Sequence, residues 1–169
     1  MISPELLRRY PVFAGLSHEN IIALVNTARG LSAEENHLFF HEGEEVHEIY
    51  FLLEGAVGIV VELPAKNVEH SVANQLTSEL ETEHVVLSAV GPGEIFGWSG
   101  LVAPYETMAG AKALTPCRVV AFDCKALLEA FKADCHFGFM MMEKVAQVIR
   151  GRLRDQRMES LAQTVATQS

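Results

Sequence analysis

The sequence predicts a mainly β domain, a double-stranded β-helix (jelly roll) with helices at both ends. Three observations carry this expectation. Between about residues 32 and 123 the apolar runs are short and rich in Val, Ile and Phe. Gly, Pro, Asn or Glu separates them, as turns separate the strands of a sandwich or jelly roll. Towards both ends the apolar residues recur instead at three- and four-residue spacing, the period of a helix.

At the start, Pro4 suits a first helical turn, Leu6 and Leu7 supply apolar contacts, and Pro11 ends the helix. Ser17-His18-Glu19-Asn20 reads as a second helix start, with Ser17 as N-cap and Asn20 a partial stand-in for the capping-box acid. Ile21, Leu24, Val25 and Ala28 form its apolar face, and Gly30 is the expected stop.

Six strands are then expected, at 38–40, 48–53, 56–63, 83–90, 107–114 and 118–122. Glu54-Gly55 reads as a tight hairpin. Residues 64–82 form a polar, acidic excursion, and its 68–80 section has weak helical periodicity. A short helix is expected over 125–132 with Asp123 near its N-cap, and a long one from Phe137 to about Leu161. Met141, Val145, Val148, Ile149 and Leu153 form a stripe along the long helix, which predicts a homodimer through residues 137–158. The alternative is a helix folded back on its own barrel. The domain plan is a helical segment at 1–31, the jelly roll at 32–123, C-terminal helices at 124–161 and a frayed tail at 162–169.

At 169 residues with 49% hydrophobic residues, the chain can bury a proper core as one domain. No apolar run approaches the roughly 20 residues that span a bilayer, and no basic-then-apolar segment opens the chain, so a cytoplasmic protein without membrane contact is expected. Three widely spaced cysteines, Cys117, Cys124 and Cys135, suit free thiols in a reducing compartment. A net charge of -9 argues against nucleic acid. Arg150, Arg152, Arg154 and Arg157 are a local exception, read as a solvated helix face paired with Glu143, Asp155 and Glu159 in preference to a nucleic-acid contact.

Two motifs carry the functional reading. The first is Gly43-Glu44, then Ile49-Tyr50-Phe51-Leu52, then Gly55. The second runs over 93–113, with Phe96, Gly97, Gly100, Leu101, Ala109, Ala111 and Ala113 at set spacing. With the strands between helical ends, they resemble the cyclic-nucleotide-binding domain of the Crp–Fnr regulators, shared with cyclic-nucleotide-dependent kinases and gated channels. The resemblance covers about residues 5–160, and its second motif is the family's phosphate-binding cassette.

In that family a one-turn helix presents backbone N–H groups to a cyclic phosphodiester. An Arg adds charge-assisted hydrogen bonds, and a Glu takes the ribose hydroxyl. Here the one-turn helix is expected at 98–102, and Ser99 adds a hydroxyl. Trp98 stands where the family has Glu, Thr107 where it has Arg, and Met108 where it has Ser or Thr. Val46 departs from the small residue usual in the first motif. The nearest charged residue in the connecting loop is Glu106, of the wrong sign. Losing one charged hydrogen bond costs about 1.5–3 kcal/mol, and with a nearby carboxylate the loss is roughly two or more powers of ten in affinity.

The resemblance therefore implies a ligand-binding set of Phe96, Gly97, Trp98, Ser99, Gly100, Leu101, Thr107, Met108 and Ala109, with Arg152 and Gln156 from the long helix. Lys112 and Arg152 are the two candidates for a replacement cation. The cofactor is left unknown, with cyclic AMP or cyclic GMP expected to bind weakly or not at all.

The expected function is a stand-alone sensor that signals through its C-terminal helix, the alternative a ligand-free dimerisation and docking module. Crp–Fnr transcription factors place a helix-turn-helix after the long helix; about ten residues remain here, so no direct DNA binding is expected. His37, His41 and His47 invite a metal, but strand and turn spacing does not set them on one face, and no metal is assigned. Haem sensing among relatives of the fold is a remote alternative, and Met140–Met142 reads better as helix packing. No nucleophile elbow, Walker loop or placed pair of carboxylates supports an enzyme.

Overall fold

The computed structural model describes residues 2–64 and 82–167. Two four-stranded antiparallel sheets form the body. The first has the order β1 (Ala28–Ala33), β8 (Cys117–Asp123), β3 (Glu48–Glu54), β6 (Ile95–Phe96). The second has the order β2 (Leu38–Phe40), β7 (Gly110–Ala113), β4 (Val57–Pro64), β5 (Thr82–Val90). Helices α1 (Pro4–Arg8), α2 (His18–Asn26), α3 (Cys124–Ala133) and α4 (Cys135–Thr167) complete the chain. This is the jelly-roll core with helical ends that the sequence predicts.

In the first sheet β3 and β8 are buried on both faces, whereas β1 is largely exposed. On β3, Ile49 and Phe51 join a core with α1, α2, α3 and α4, while Tyr50 and Leu52 point into a second core between the sheets. On β8, Val120 and Phe122 take the helical side and Val119 and Ala121 the inter-sheet side. A period of two with apolar residues on both faces explains why these strands read as unbroken apolar runs.

Local signals set the helix starts. The Ser3 hydroxyl accepts the Leu6 N–H at 3.2 Å. At α2 the capping box is complete. The Asn20 N–H donates to the Ser17 hydroxyl at 3.1 Å, and the Ser17 N–H donates to the Asn20 side-chain oxygen at 3.2 Å. An amide oxygen thus serves as well as the acid expected there. At α3 the Asp123 carboxylate accepts the Ala126 N–H at 2.7 Å.

Several expectations need correction. Helix α2 ends at Asn26, and Gly30 lies inside β1, paired with Val120. Pro11 begins a 3-10 turn, Pro11–Phe13, after α1 has already ended. Gly55 is not a hairpin turn: β3 and β4 lie in different sheets, and the turn carries the chain across the sandwich. A turn signature is local, whereas sheet membership depends on distant partners. The two-residue β6 went unread because it is too short to show alternation. Strand β7 covers only Gly110–Ala113, because Thr107 pairs with the loop after β2 instead. Of the excursion read at 64–82, Pro64 ends β4 and Thr82 begins β5, and residues 65–81, with the weak helical periodicity at 68–80, lie outside the described residues.

Helix α4 starts at Cys135, where the Asp134 carboxylate accepts the Phe137 N–H at 3.0 Å, and it continues to Thr167 through the stretch read as frayed. The stripe read as a dimer face is turned largely inward. Met141 and Val145 are buried in the helical core, and Val148 and Ile149 pack against it. None of the ion pairs among the described residues involves Arg150, Arg152, Arg154 or Arg157. Among those residues no helix is long and apolar enough to cross a membrane.

Candidate ligand-binding site

The cassette is built on the inner edge of the first sheet. The Leu52 N–H donates to the Glu94 carbonyl at 3.0 Å and the Gly93 N–H to the Leu52 carbonyl at 2.8 Å, which ties the chain to β3 just before β6. After β6 the backbone turns at Gly97 with φ 76°. A side chain there would be strained, and its Cβ would lie 3.1 Å from both the Glu48 carbonyl and the Tyr50 ring. A 3-10 turn follows over Trp98–Leu101, one residue shorter than expected, with Val102 as its cap. Its leading N–H groups, on Trp98 and Ser99, have no acceptor inside the turn. Ser99, Gly100 and Leu101 are buried.

Thr107, expected from the sequence to stand at the position of the family's arginine, is engaged elsewhere. Its hydroxyl donates to the His41 carbonyl at 2.6 Å and accepts the Glu44 N–H at 3.2 Å. Its own N–H donates to the Glu44 carbonyl, and its carbonyl accepts the Gly43 N–H, both at 2.9 Å. These four bonds zip the cassette's far end to the loop after β2, so the two sequence motifs meet here. Glu106 continues the zip by bridging Glu45 and is exposed.

Between the cassette and α4 lies a cavity of about 270 Å³. Phe96, Gly97, Trp98 and Ser99 form one wall, and Thr107, Met108 and Ala109 an adjoining one. Ile149, Arg152, Leu153 and Gln156 of α4 face them. Nine of the eleven expected ligand residues thus share one space. Gly100 and Leu101 do not line it: Leu101 packs into the helical core, and Gly100 backs onto Cys124 on the far side of the turn. Met108, which stands where the family has Ser or Thr, is 78% exposed.

The structure separates the two candidate cations. Lys112 does not line the cavity; it sits on β7 opposite Leu38 and Gly58, while its neighbours Ala111 and Ala113 enter the inter-sheet core. Arg152 lines it and is its one charged residue among the described ones. The guanidinium donates to the Ala89 carbonyl at 3.2 Å. Glu106 is not part of the lining, so the like-charge penalty expected from it does not arise in the cavity.

Sequence reasoning missed Phe40, Ile59, Leu87, Ser88 and Ile95, which add lining from the strands, apolar except for the Ser88 hydroxyl. Ile95 lies inside the motif stretch but not at one of its set positions; the other four carry no motif, and only the packing of the two sheets brings them to the cassette. Phe96 stacks on Tyr50 with centroids 5.0 Å apart, and Phe39 meets Phe96 edge-on at 5.1 Å. Burial, with the Glu48 carboxylate beside it, holds the Tyr50 hydroxyl well above its ordinary pKa. Tyr50 therefore stays neutral and donates to Glu48 at 3.2 Å.

The three histidines have separate partners. The His37 ring meets Phe39 edge-on, His41 contacts Glu62 at 2.7 Å and His47 lies 3.9 Å from Glu45. Among the described residues no group of three metal-ligating side chains is placed to hold an ion.

Comparison with known proteins agrees with this fold. Residues 31–134 match the family model described as cyclic nucleotide-binding domain. The chain is 25% identical over 150 residues to a CRP-like cAMP-activated global transcriptional regulator of Mycobacterium tuberculosis, covering 89% of this chain and 58% of that regulator's length. Its fold is similar to that of a candidate cyclic nucleotide-binding protein of Geobacter metallireducens, with a TM-score of 0.71, 29% identity and coverage of 90% of this chain and 99% of the other. A cyclic nucleotide-binding domain from Methylobacillus flagellatus shares the fold at a TM-score of 0.71 and 18% identity, covering 94% and 80% of the two chains.

Proposed function

Because the chain belongs to the cyclic nucleotide-binding domain family, we propose that it is a ligand-sensing regulatory domain whose cassette cavity takes a small molecule other than cyclic AMP or cyclic GMP. The role is regulatory and not catalytic, and its setting is the cytoplasm. One observation supports it most. A molecule in the cavity would touch the cassette at Trp98 and Ser99 and the long helix at Ile149, Arg152, Leu153 and Gln156 together. Binding would thus bias the position of α4 against the sheets, provided the two positions differ in affinity for the ligand.

The weak response to cyclic nucleotides follows from the cassette. Thr107 is 6% exposed and its hydroxyl already has a donor and an acceptor, so it offers the phosphate no substitute for a cation. Trp98 occupies the position of the carboxylate that takes the ribose hydroxyl. Calorimetric titration with cyclic AMP and cyclic GMP tests this. The expected result is no saturable heat below about 1 mM, the range of binding worth only about 4 kcal/mol. Low-micromolar binding would overturn it.

A second reading, a dimerisation and docking module, draws on exposed apolar residues of α4. Met158, Leu161 and Val165 are 62%, 59% and 65% exposed and follow one another at three- and four-residue spacing. This patch lies partly beyond the 137–158 stretch first read as the dimer face, and a homodimer through it is compatible with the sensor role.

A further inference from the structure

We infer that the cavity is built for an amphipathic monoanion: a compact apolar body carrying one carboxylate or similar group that Arg152 holds from the helix side. This rests on the sensor reading above and specifies the ligand's chemistry. The lining supplies the body's environment. Phe96, Trp98, Ile59, Leu87 and Ile149 surround the space with apolar surface, which favours an apolar partner at about 25 cal/mol per Å² removed from water. A ligand as polar as a sugar phosphate would leave many groups unpaired against such walls.

Arg152 supplies the polar end. It is half-buried and forms no ion pair among the described residues. Its described contact is one bond to a neutral main-chain carbonyl, that of Ala89. A guanidinium carries five N–H donors in a planar fork that matches a carboxylate. Glu94 and Asp155 line the neighbouring cavity together with Arg152, yet neither reaches ion-pair distance. Gln156, one helical turn further on, shares the face of α4 that meets the cavity and adds an amide donor. An anion here would sit on the helix, facing the cassette, and would tie α4 down directly.

Trp98 is the chain's one tryptophan and lines the cavity, so its fluorescence reports occupancy. The test titrates phenylacetate and octanoate against their neutral counterparts phenylacetamide and octan-1-ol, and against the cation phenethylamine. Thermal shift provides the second readout. The carboxylates are expected to bind about tenfold to a hundredfold more tightly than the neutral probes, as a charge-assisted hydrogen bond implies. Phenethylamine is expected to be rejected. Arg152→Gln is expected to remove the preference by weakening the carboxylates far more than the neutral probes, and Arg152→Lys to retain part of it. Equal binding of charged and neutral probes would overturn the anion assignment and leave the sensor reading standing. No response of Trp98 or of the melting temperature to any probe would overturn both. The probe series on the unaltered protein decides the matter even if Arg152→Gln folds poorly.

Discussion

The Thr107 hydroxyl donates to the His41 carbonyl at 2.6 Å across 66 residues of sequence, and this bond joins the end of the cassette to the loop after β2. Thr107, read from the sequence as standing where the family has its phosphate-binding arginine, is part of the scaffold. Thr107→Val keeps the shape but removes the hydroxyl that bridges the His41 carbonyl and the Glu44 N–H, leaving them only their long 3.5 Å bond to each other. Urea unfolding is expected to show a loss of about 1–3 kcal/mol, with Thr107→Ser close to the unaltered protein. Unchanged stability of the valine variant would show that water replaces the hydroxyl at no cost. Glu106→Gln is expected to leave cyclic-nucleotide affinity unchanged, because Glu106 does not line the cavity.

Gly100 anchors the back of the cassette turn. A Cβ there would lie 2.6 Å from the Cys124 sulfur and 2.9 Å from the Val46 carbonyl. Gly100→Ala is expected to destabilise by about 1–3 kcal/mol, the usual cost of overpacking. Adding Cys124→Ala should recover only part of that, because the Val46 carbonyl is main chain and stays in place. Full recovery in the double-mutant cycle would show that the sulfur is the sole obstacle. The Cys124 thiol is pushed up to about 12 by its burial first and by the Asp123 and Glu48 carboxylates second. It should resist alkylation at pH 8 in the folded protein while exposed Cys135 reacts.

Asn20 and Asp134 link α2 to the start of α4 through a 3.1 Å hydrogen bond. The Phe137 N–H and then the Asn20 amide favour the charged carboxylate, and together they hold Asp134 below its ordinary value of 3.8 despite its partial desolvation. A depressed pKa stabilises the fold above 3.8 and loses that contribution as pH falls through the lower folded value. Melting temperature followed from neutral pH down to about pH 2 should fall less steeply for Asp134→Asn than for the unaltered protein over that acid range. Parallel curves would remove Asp134 from the acid response.

The exposed residues Met158 and Leu161 predict the oligomeric state. Met158→Glu with Leu161→Glu places charge on the patch and should convert a dimer to a monomer in size-exclusion chromatography with light scattering. Circular dichroism should show the helix retained. A monomer before the change would count against the patch as a dimer face.

The Ser17 and Asp123 helix caps, the glycine at the head of the cassette turn and most strand positions were legible in the amino-acid sequence. Each depends on residues within a few positions of one another. Ser17 and Asn20 close their capping box three residues apart. Gly97 declares a left-handed turn by having no side chain. The cassette was readable for the same reason, as a spacing of small and apolar residues along one continuous stretch.

What the sequence alone determined about this protein is therefore its fold class and its family. Tertiary structure decided the rest. It put β3 and β4 in different sheets although Gly55 looks like a hairpin turn. It turned the α4 stripe inward, gave Thr107 a structural partner, and brought Arg152 rather than Lys112 to the cavity. The physical reason is common to all four: each outcome is set by which surfaces meet after the chain has doubled back. Arg152 reaches Ala89 across 63 residues, and no local pattern encodes such a meeting.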